Sequence, residues 1–270
     1  MGNPMIIDGK QIAAEIFAAT KQEVAGLGRV PVVRAITVSP NAATESYLRI
    51  KSARAADAGM QLEVMKLSDT ATTEELIAAV QQEGADAVIV QLPLPAGIDT
   101  EAVLDAVPAP KDADVLSHDT RKMPGALLPP VAAAVQEILD RAGCNARGKN
   151  VVVVGQGWLV GDPVAAWLRT SGGDVHTLTR ESSDLSILKN ADIIVSGAGS
   201  PHLIKPEMLK EGVVLIDAGT SESDGALAGD ADPACAEVAS VFTPVPGGVG
   251  PIAVACLFRN VATLLTTSPA

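Results

Sequence analysis

The sequence predicts an α/β protein built from two units, and three observations carry that prediction. Short β-branched runs alternate with helical stretches through the first hundred residues, the pattern of parallel strands joined by helical crossovers. A segment with five prolines and no clear period, residues 108–130, interrupts the alternation. A new pattern then starts on an all-valine run, Asn150-Val-Val-Val-Val-Gly155, followed by a glycine-bearing turn and a helical stretch.

Taken in order, residues 10–27 read as an amphipathic helix and Val32–Val38 as a strand. Residues 42–58 form a second helix, with Asn41 available as its N-cap and Gly59 as its stop. Residues 62–67 are a strand, and 73–82 a helix with Thr72 or Thr73 as cap. Residues 86–90 are a buried strand that breaks into Gln91-Leu-Pro-Leu-Pro95, because proline cannot continue a central strand. The 108–130 segment reads as a linker or functional element, and 131–142 as a connecting helix. Beyond it come a strand at 150–155, a helix at Gly161–Thr170, strands at 174–179, 192–196 and 213–217, and a closing helix at 252–265.

Composition excludes several functions. The 270 residues carry a formal net charge of −12 and only 2% aromatics. Nucleic acid or an anionic membrane as main partner would need a basic surface, and a base-stacking platform would need aromatic rings. A small anionic ligand needs only a local positive cluster and stays open. Cys144, Cys235 and Cys256 lie far apart without metal or redox spacing, so they read as reduced thiols of a cytoplasmic protein with no metal site. The N-terminal residues lack a targeting pattern, and the weakly polar stretch 123–135 is too short to span a membrane.

Gly155-Gln156-Gly157-Trp-Leu-Val-Gly161 follows a strand and opens a helix. Glycines there keep the turn tight and let backbone approach a pyrophosphate, which a helix N-terminus favours. A dinucleotide is the expected ligand. The next strand ends in Arg180 with Ser182 and Ser183 after it, a set that suits the 2′-phosphate of NADP. Glu181 leaves NAD possible, and Arg180 can also be read as a solvated loop charge.

On the second helix, Tyr47 and Lys51 are four residues apart and share a face, with Arg49 and Arg54 nearby. A lysine whose pKa is lowered by burial can act as acid or base near neutrality; the plainer reading is a surface helix with ordinary basic residues. Tyr-x-x-x-Lys also suggests a short-chain dehydrogenase. In such enzymes, however, the pair follows the nucleotide turn, and here it precedes it.

Five segments in this order resemble the methylenetetrahydrofolate dehydrogenase/methenyltetrahydrofolate cyclohydrolase family: Ser46-Tyr47-x-x-x-Lys51, Val90-Gln-Leu-Pro-Leu-Pro95, Pro110-Lys-Asp-Ala-Asp114, the 155–163 turn, and Thr243-Pro-Val-Pro-Gly-Gly-Val-Gly-Pro251. The resemblance implies a folate-binding catalytic domain (1–128 and 251–270) and a Rossmann-type NAD(P)-binding domain (129–250), the last helix returning to the first domain. It implies a homodimer with tetrahydrofolate derivatives as substrates and the folate in the cleft between domains. On this sequence Lys51 would be the acid/base group of the cyclohydrolase step, Gln91 its hydrogen-bond partner, Tyr47 the seat of the aminobenzoyl ring and Asp114 the acceptor for pterin N–H groups. Leu92, Gly250 and Pro251 would line the substrate, and Gly155, Gln156, Gly157, Gly161, Arg180 and Ala253 the cofactor.

The chain departs from the family at several places. Val115 stands where a glycine follows the aspartate, Leu128-Pro-Pro130 where Pro-Cys-Thr-Pro is expected, Gln156 and Gly157 where the turn reads Arg-Ser, and Ile252-Ala253 where Met-Thr follows. These changes bear on nucleotide preference more than on cyclohydrolase chemistry. Two other readings remain: another two-domain NADP oxidoreductase of the shikimate dehydrogenase kind, which the Pro-Gly-Gly-Val-Gly-Pro loop disfavours, and a folate- or nucleotide-binding protein with weakened dehydrogenase activity.

Overall fold

The β-branched runs become strands, and the stretches between them become helices, in a computed structural model that describes residues 3–40, 42–122, 127–179, 184–223 and 226–267. In chain order the elements are β1 (Met5–Ile6), α1 (Gly9–Ala25), β2 (Val32–Val38), α2 (Ala42–Asp57), β3 (Gln61–Leu67), α3 (Thr73–Gln81), β4 (Ala87–Val90), α4 (Thr100–Asp105), α5 (His118–Lys122), α6 (Pro130–Arg141), β5 (Asn150–Val154), α7 (Gly161–Thr170), β6 (Asp174–Leu178), β7 (Ile193–Ser196), β8 (Val214–Asp217), β9 (Ser221–Ser223), β10 (Ala226–Ala228), β11 (Val241–Phe242) and α8 (Val249–Thr267). They divide into two compact units: Ala14–Pro130 with Val254–Ala270, and Met1–Ala13 with Val131–Ala253.

The first of these units holds a three-stranded parallel sheet in the order β3-β2-β4. Central β2 is buried from Val33 to Val38, as expected for a strand covered on both faces. From α1, Ile16, Phe17, Thr20 and Val24 point inward at helical spacing, and the Phe17 ring meets Phe258 of α8 at 6.2 Å. Thr72 is the cap of α3 in a reciprocal capping box with Glu75, which satisfies two orphan donors at once. Gly59 ends α2 in the left-handed region (φ +76°); the expected Asn41 cap lies outside the described residues.

The 108–130 segment is more ordered than its lack of period suggests. A 3₁₀ turn at Ala109–Lys111 and helix α5 occupy part of it. Asp112 is buried and accepts from the N–H groups of Leu116 and Ser117, while Asn260 of α8 donates to the Ala113 and Leu128 carbonyls, both at 2.9 Å. Among the described residues, α8 is the helix long and apolar enough to cross a membrane. Its Ile252, Ala255, Cys256, Phe258 and Val261 are buried in protein, which makes it a core helix.

The second unit carries a six-stranded parallel sheet, β1-β11-β8-β7-β5-β6. Val151 to Val154 are buried throughout. From β5 onward the order is that of a doubly wound sheet whose direction of growth reverses between β5 and β7, where such folds bind ligands. Residues 1–13, expected with the folate domain, group here because β1 extends this sheet alongside β11. The β9–β10 hairpin was not expected; its strands are three residues long and carry no clear alternation.

Candidate active site and nucleotide pocket

The lysine of the first unit occupies a core position. Among the described residues of α2 the buried ones are Leu48, Lys51 and Ala55, continued by Ala58 just past its end, one stripe at helical spacing with a lysine in an apolar slot. Only 7% of Lys51 is exposed, so the reading of ordinary basic residues on a surface helix fails for Lys51, whereas Arg49 and Arg54 do lie exposed. Its Nζ donates to Gln91 Oε1 at 3.1 Å and sits 5.0 Å from the centroid of the Tyr47 ring, within cation–π range when charged. Gln91 follows β4, at the carboxyl end of the sheet, and its Nε2 donates to the Leu92 carbonyl at 2.9 Å. That second bond fixes which end of the amide faces the lysine. The peptide between Leu92 and Pro93 is cis.

Burial lowers the pKa of Lys51, and the Asp114 carboxylate partly opposes that shift. Asp114 itself is pushed up to about 6, first by burial, against the pull of Lys51 and with help from Asp112. The Tyr47 phenol is raised by desolvation and by Asp114, although the residue as a whole stays 44% exposed. The structure thus brings together Tyr47, Lys51, Gln91 and Asp114: a buried amine of lowered basicity, an amide holding it, an aromatic face open to solvent and a carboxyl group poised near pH 6. Asp112, which the sequence reading passed over, is the brace of this group through its backbone bonds.

Val115 stands where the resemblance expects glycine, and its φ is +55°. A left-handed β-branched residue costs roughly 1–2 kcal/mol. Its side chain is almost fully buried, which returns about 1.5–2 kcal/mol and explains how the substitution is tolerated.

In the second unit a cavity of about 660 Å³ lies at the reversal point of the sheet, lined by Gly155, Gln156 and Gly157 after β5, Leu178 and Thr179 at the end of β6, Leu185, and Gly197, Ala198, Ser200 and Leu203 after β7. The three glycines of the turn differ in need. A Cβ on Gly161 would fall 2.0 Å from the Gly155 carbonyl oxygen, and one on Gly155 (φ +98°) would fall 2.7 Å from the Gly197 oxygen. A Cβ on Gly157 would meet nothing within 4 Å, so the serine common in the family would fit. The N-cap of α7, Val160, makes no side-chain cap bond; in the first turn the Asp162 N–H donates to the Gly157 carbonyl at 3.2 Å and Pro163 has no N–H, so the turn itself satisfies most of the donors of this helix start.

The remaining expected cofactor and substrate residues fall elsewhere. Gly250, Pro251 and Ala253 stand in the first turns of α8 and do not line this cavity. A Cβ on Gly250 would meet nothing within 4 Å. Gly9 packs so closely on the preceding loop that a Cβ would lie 1.8 Å from the Gly248 oxygen. Arg180 lies outside the described residues. The loop at 197–200 was not anticipated as cavity lining, although its Gly-Ala-Gly-Ser run directly after a strand is a turn signal. Buried Cys235 has its thiol pushed up to about 11 by burial and is inert.

Similarity to known proteins extends over both units. Residues 7–114 match "Tetrahydrofolate dehydrogenase/cyclohydrolase, catalytic domain" and residues 129–268 match "Tetrahydrofolate dehydrogenase/cyclohydrolase, NAD(P)-binding domain". A "Bifunctional protein FolD" of Halothermothrix orenii is 40% identical over 273 residues, 94% of this chain and 95% of that one, and one of Lacticaseibacillus casei is 37% identical over 274 residues, 96% of each. Among solved structures, the bifunctional FolD of Campylobacter jejuni superposes with a TM-score of 0.92 at 28% identity, covering 97% of this chain and 98% of that one. FolD of Trypanosoma brucei, complexed with NADP cofactor and inhibitor, gives 0.90 at 33% identity over 98% of each chain. The chain belongs to the tetrahydrofolate dehydrogenase/cyclohydrolase family.

Proposed function

We propose that the chain oxidises 5,10-methylenetetrahydrofolate with NADP and hydrolyses the resulting methenyl cation to 10-formyltetrahydrofolate, with Lys51 as the acid/base group of the hydrolysis. The observation that carries this reading is the buried Lys51 amine held 3.1 Å from Gln91 Oε1. In its neutral form one N–H of the amine is committed to Gln91, and the lone pair remains free to take a proton.

Hydration needs such a group. Water adds to the methenyl carbon and must lose a proton as the C–O bond forms; Lys51 Nζ accepts it. The bond from that carbon to N5 then breaks as the protonated Lys51 returns its proton to N5 and the hydroxyl proton of the adduct leaves to solvent, so that the formyl group stays on N10 and one proton is released overall. Asp114, ionised above about pH 6, accepts from the donor pair of the pterin, and two carboxylate oxygens match two N–H groups. The exposed Tyr47 ring offers its face to the aminobenzoyl group.

The dehydrogenase step needs orientation more than proton transfer. NADP, when bound, supplies the hydride acceptor. The cavity fits a dinucleotide: the close Gly155–Gly161 approach brings backbone to the ligand, and Leu178, Leu185 and Leu203 supply apolar walls. Gln156 and Gly157 replace the arginine and serine of the resemblance, so Arg180 is the proposed partner of the 2′-phosphate. We place the protein in the cytoplasm as a homodimer feeding one-carbon units to purine synthesis. The exposed apolar residues Met5, Ile6 and Leu227 of the second unit support self-association.

The experiment that tests the proposal supplies 5,10-methenyltetrahydrofolate without nucleotide. Enzymatic loss of the methenyl absorbance above the spontaneous rate is the expected outcome, and decay at the spontaneous rate contradicts it.

A further inference from the structure

Two buried acids in the second unit take no part in the chemistry above. Asp230 is fully buried, and Asp217 is 2% exposed. Asp230 Oδ2 accepts from Ser196 Oγ at 2.6 Å and from the Ala198 N–H at 2.7 Å, while Oδ1 accepts from the Ser200 N–H at 2.7 Å. Asp217 accepts from the N–H groups of Gly219 and Ala231. The two acids interlock through glycines: a Cβ on Gly219 would fall 2.2 Å from the Asp230 carboxylate, and one on Gly229 would fall 2.2 Å from Asp217 Oδ2. Burial first, and the neighbouring Asp230, push Asp217 up to about 6.

Burying carboxylates costs several kcal/mol each before their bonds are counted, so this arrangement is a poor device for stability alone. What it does is geometric. Residues 197–200 wrap Asp230 on their inner side, and Gly197, Ala198 and Ser200 line the nucleotide cavity. On the other side the loop is pressed on the glycine turn: a Cβ on Gly197 would fall 2.4 Å from Val160 Cγ1. The loop is clamped between the acid and the turn, and a carboxylate is the side chain that can gather three donors at one point.

We propose that Asp230 is a positioning residue for the nucleotide: by collecting the Ser196 hydroxyl and the N–H groups of residues 198 and 200, it sets the wall of the cavity opposite the Gly155–Gly157 turn. The proposal rests on the reading of that cavity as the NADP site. Asp230 touches no substrate; it acts through the loop.

The test uses the full chain with Asp230→Asn and Ser196→Ala. Asn replaces one accepting oxygen with a donor, which then faces another donor. Both tryptophans, Trp158 and Trp167, lie in this unit, so their emission reports its folding and its titration with NADP. The expected result for Asp230→Asn is an NADP Kd and KM at least tenfold higher, with kcat at saturating NADP within twofold and the emission maximum unchanged. Ser196→Ala, which removes one bond, is expected to weaken NADP roughly threefold. Kd values within twofold of the wild type in both variants overturn the proposal. So does a fall in kcat at unchanged KM. If the emission shows Asp230→Asn to be unfolded, Ser196→Ala decides alone: weaker binding supports the proposal and unchanged binding overturns it. A wild-type chain that binds no NADP overturns the nucleotide reading and this proposal together, whereas equal binding by wild type and variants overturns this one only.

Discussion

Replacing Lys51 with Met is expected to slow methenyl hydrolysis by at least about 100-fold, the usual share of a general acid–base group, while hydride transfer stays measurable. The methionine fills much of the same slot in the Leu48-Lys51-Ala55-Ala58 stripe but can neither take nor return a proton. It also leaves Gln91 Oε1 without its donor, at a cost of about 1–3 kcal/mol in stability, so thermal unfolding of the variant is measured alongside. The pH profile gives a second signature. Burial lowers the Lys51 pKa, so the neutral base is populated at lower pH than for a free lysine, and hydrolysis rises with pH through that lowered value. The rising limb should vanish in the variant. Equal loss of both activities with the fold intact would show that Lys51 is needed for binding and not for the hydrolytic proton transfer.

Asp114→Asn should raise the folate KM by about ten- to a hundredfold, the 1.5–3 kcal/mol of a charge-assisted bond, and leave NADP affinity unchanged. The pH dependence is again specific. With a pKa of about 6, Asp114 is a double acceptor above that pH and carries its own proton below it. In the wild type kcat/KM for folate should therefore fall as pH drops through about 6; in the variant this limb should be absent. Stability moves the other way. Asp114 and Asp217 both have folded pKa values near 6 against an ordinary 3.8, so between about pH 4 and 6 the native chain binds more protons than the unfolded one. By linkage the ligand-free protein gains stability from these two groups as pH falls through that window. A folate KM that is flat between pH 5 and 8 would remove Asp114 from the binding role.

Much of the fold was legible because its strands are continuous β-branched runs and its helices follow them: the expected Val32–Val38 and Gly161–Thr170 coincide with β2 and α7. What escaped had other causes. β1 and β11 are two residues long, too short for any period. The 108–130 segment is held by Asp112 and Asn260 reaching backbone groups, contacts that hydrophobic periodicity does not register. The helix α8 starts at Val249 and runs through Pro251, because proline is tolerated in a first helical turn.

The candidate site shows the same division. Its members were found by their resemblance as an ordered set, yet their residue types alone pointed the other way. A lysine in an apolar stripe lowers the apparent amphipathicity of α2, so the sequence made the helix look like surface just where it is most buried. Asp217 and Asp230 were hidden for a related reason. Acids near the end of a strand or in a glycine-rich stretch read as solvated charges, and only the close approach of Gly219 and Gly229 reveals them as interior.

The most direct test of the account is a single time course. The purified chain is given 5,10-methylenetetrahydrofolate with NADP, and in parallel with NAD, while the methenyl absorbance and the reduced nucleotide are followed together. The account predicts that reduced nucleotide accumulates while the methenyl signal rises and then decays faster than its spontaneous rate as 10-formyltetrahydrofolate forms. Failure to reduce either nucleotide, or a methenyl product that accumulates and decays only spontaneously, would contradict it.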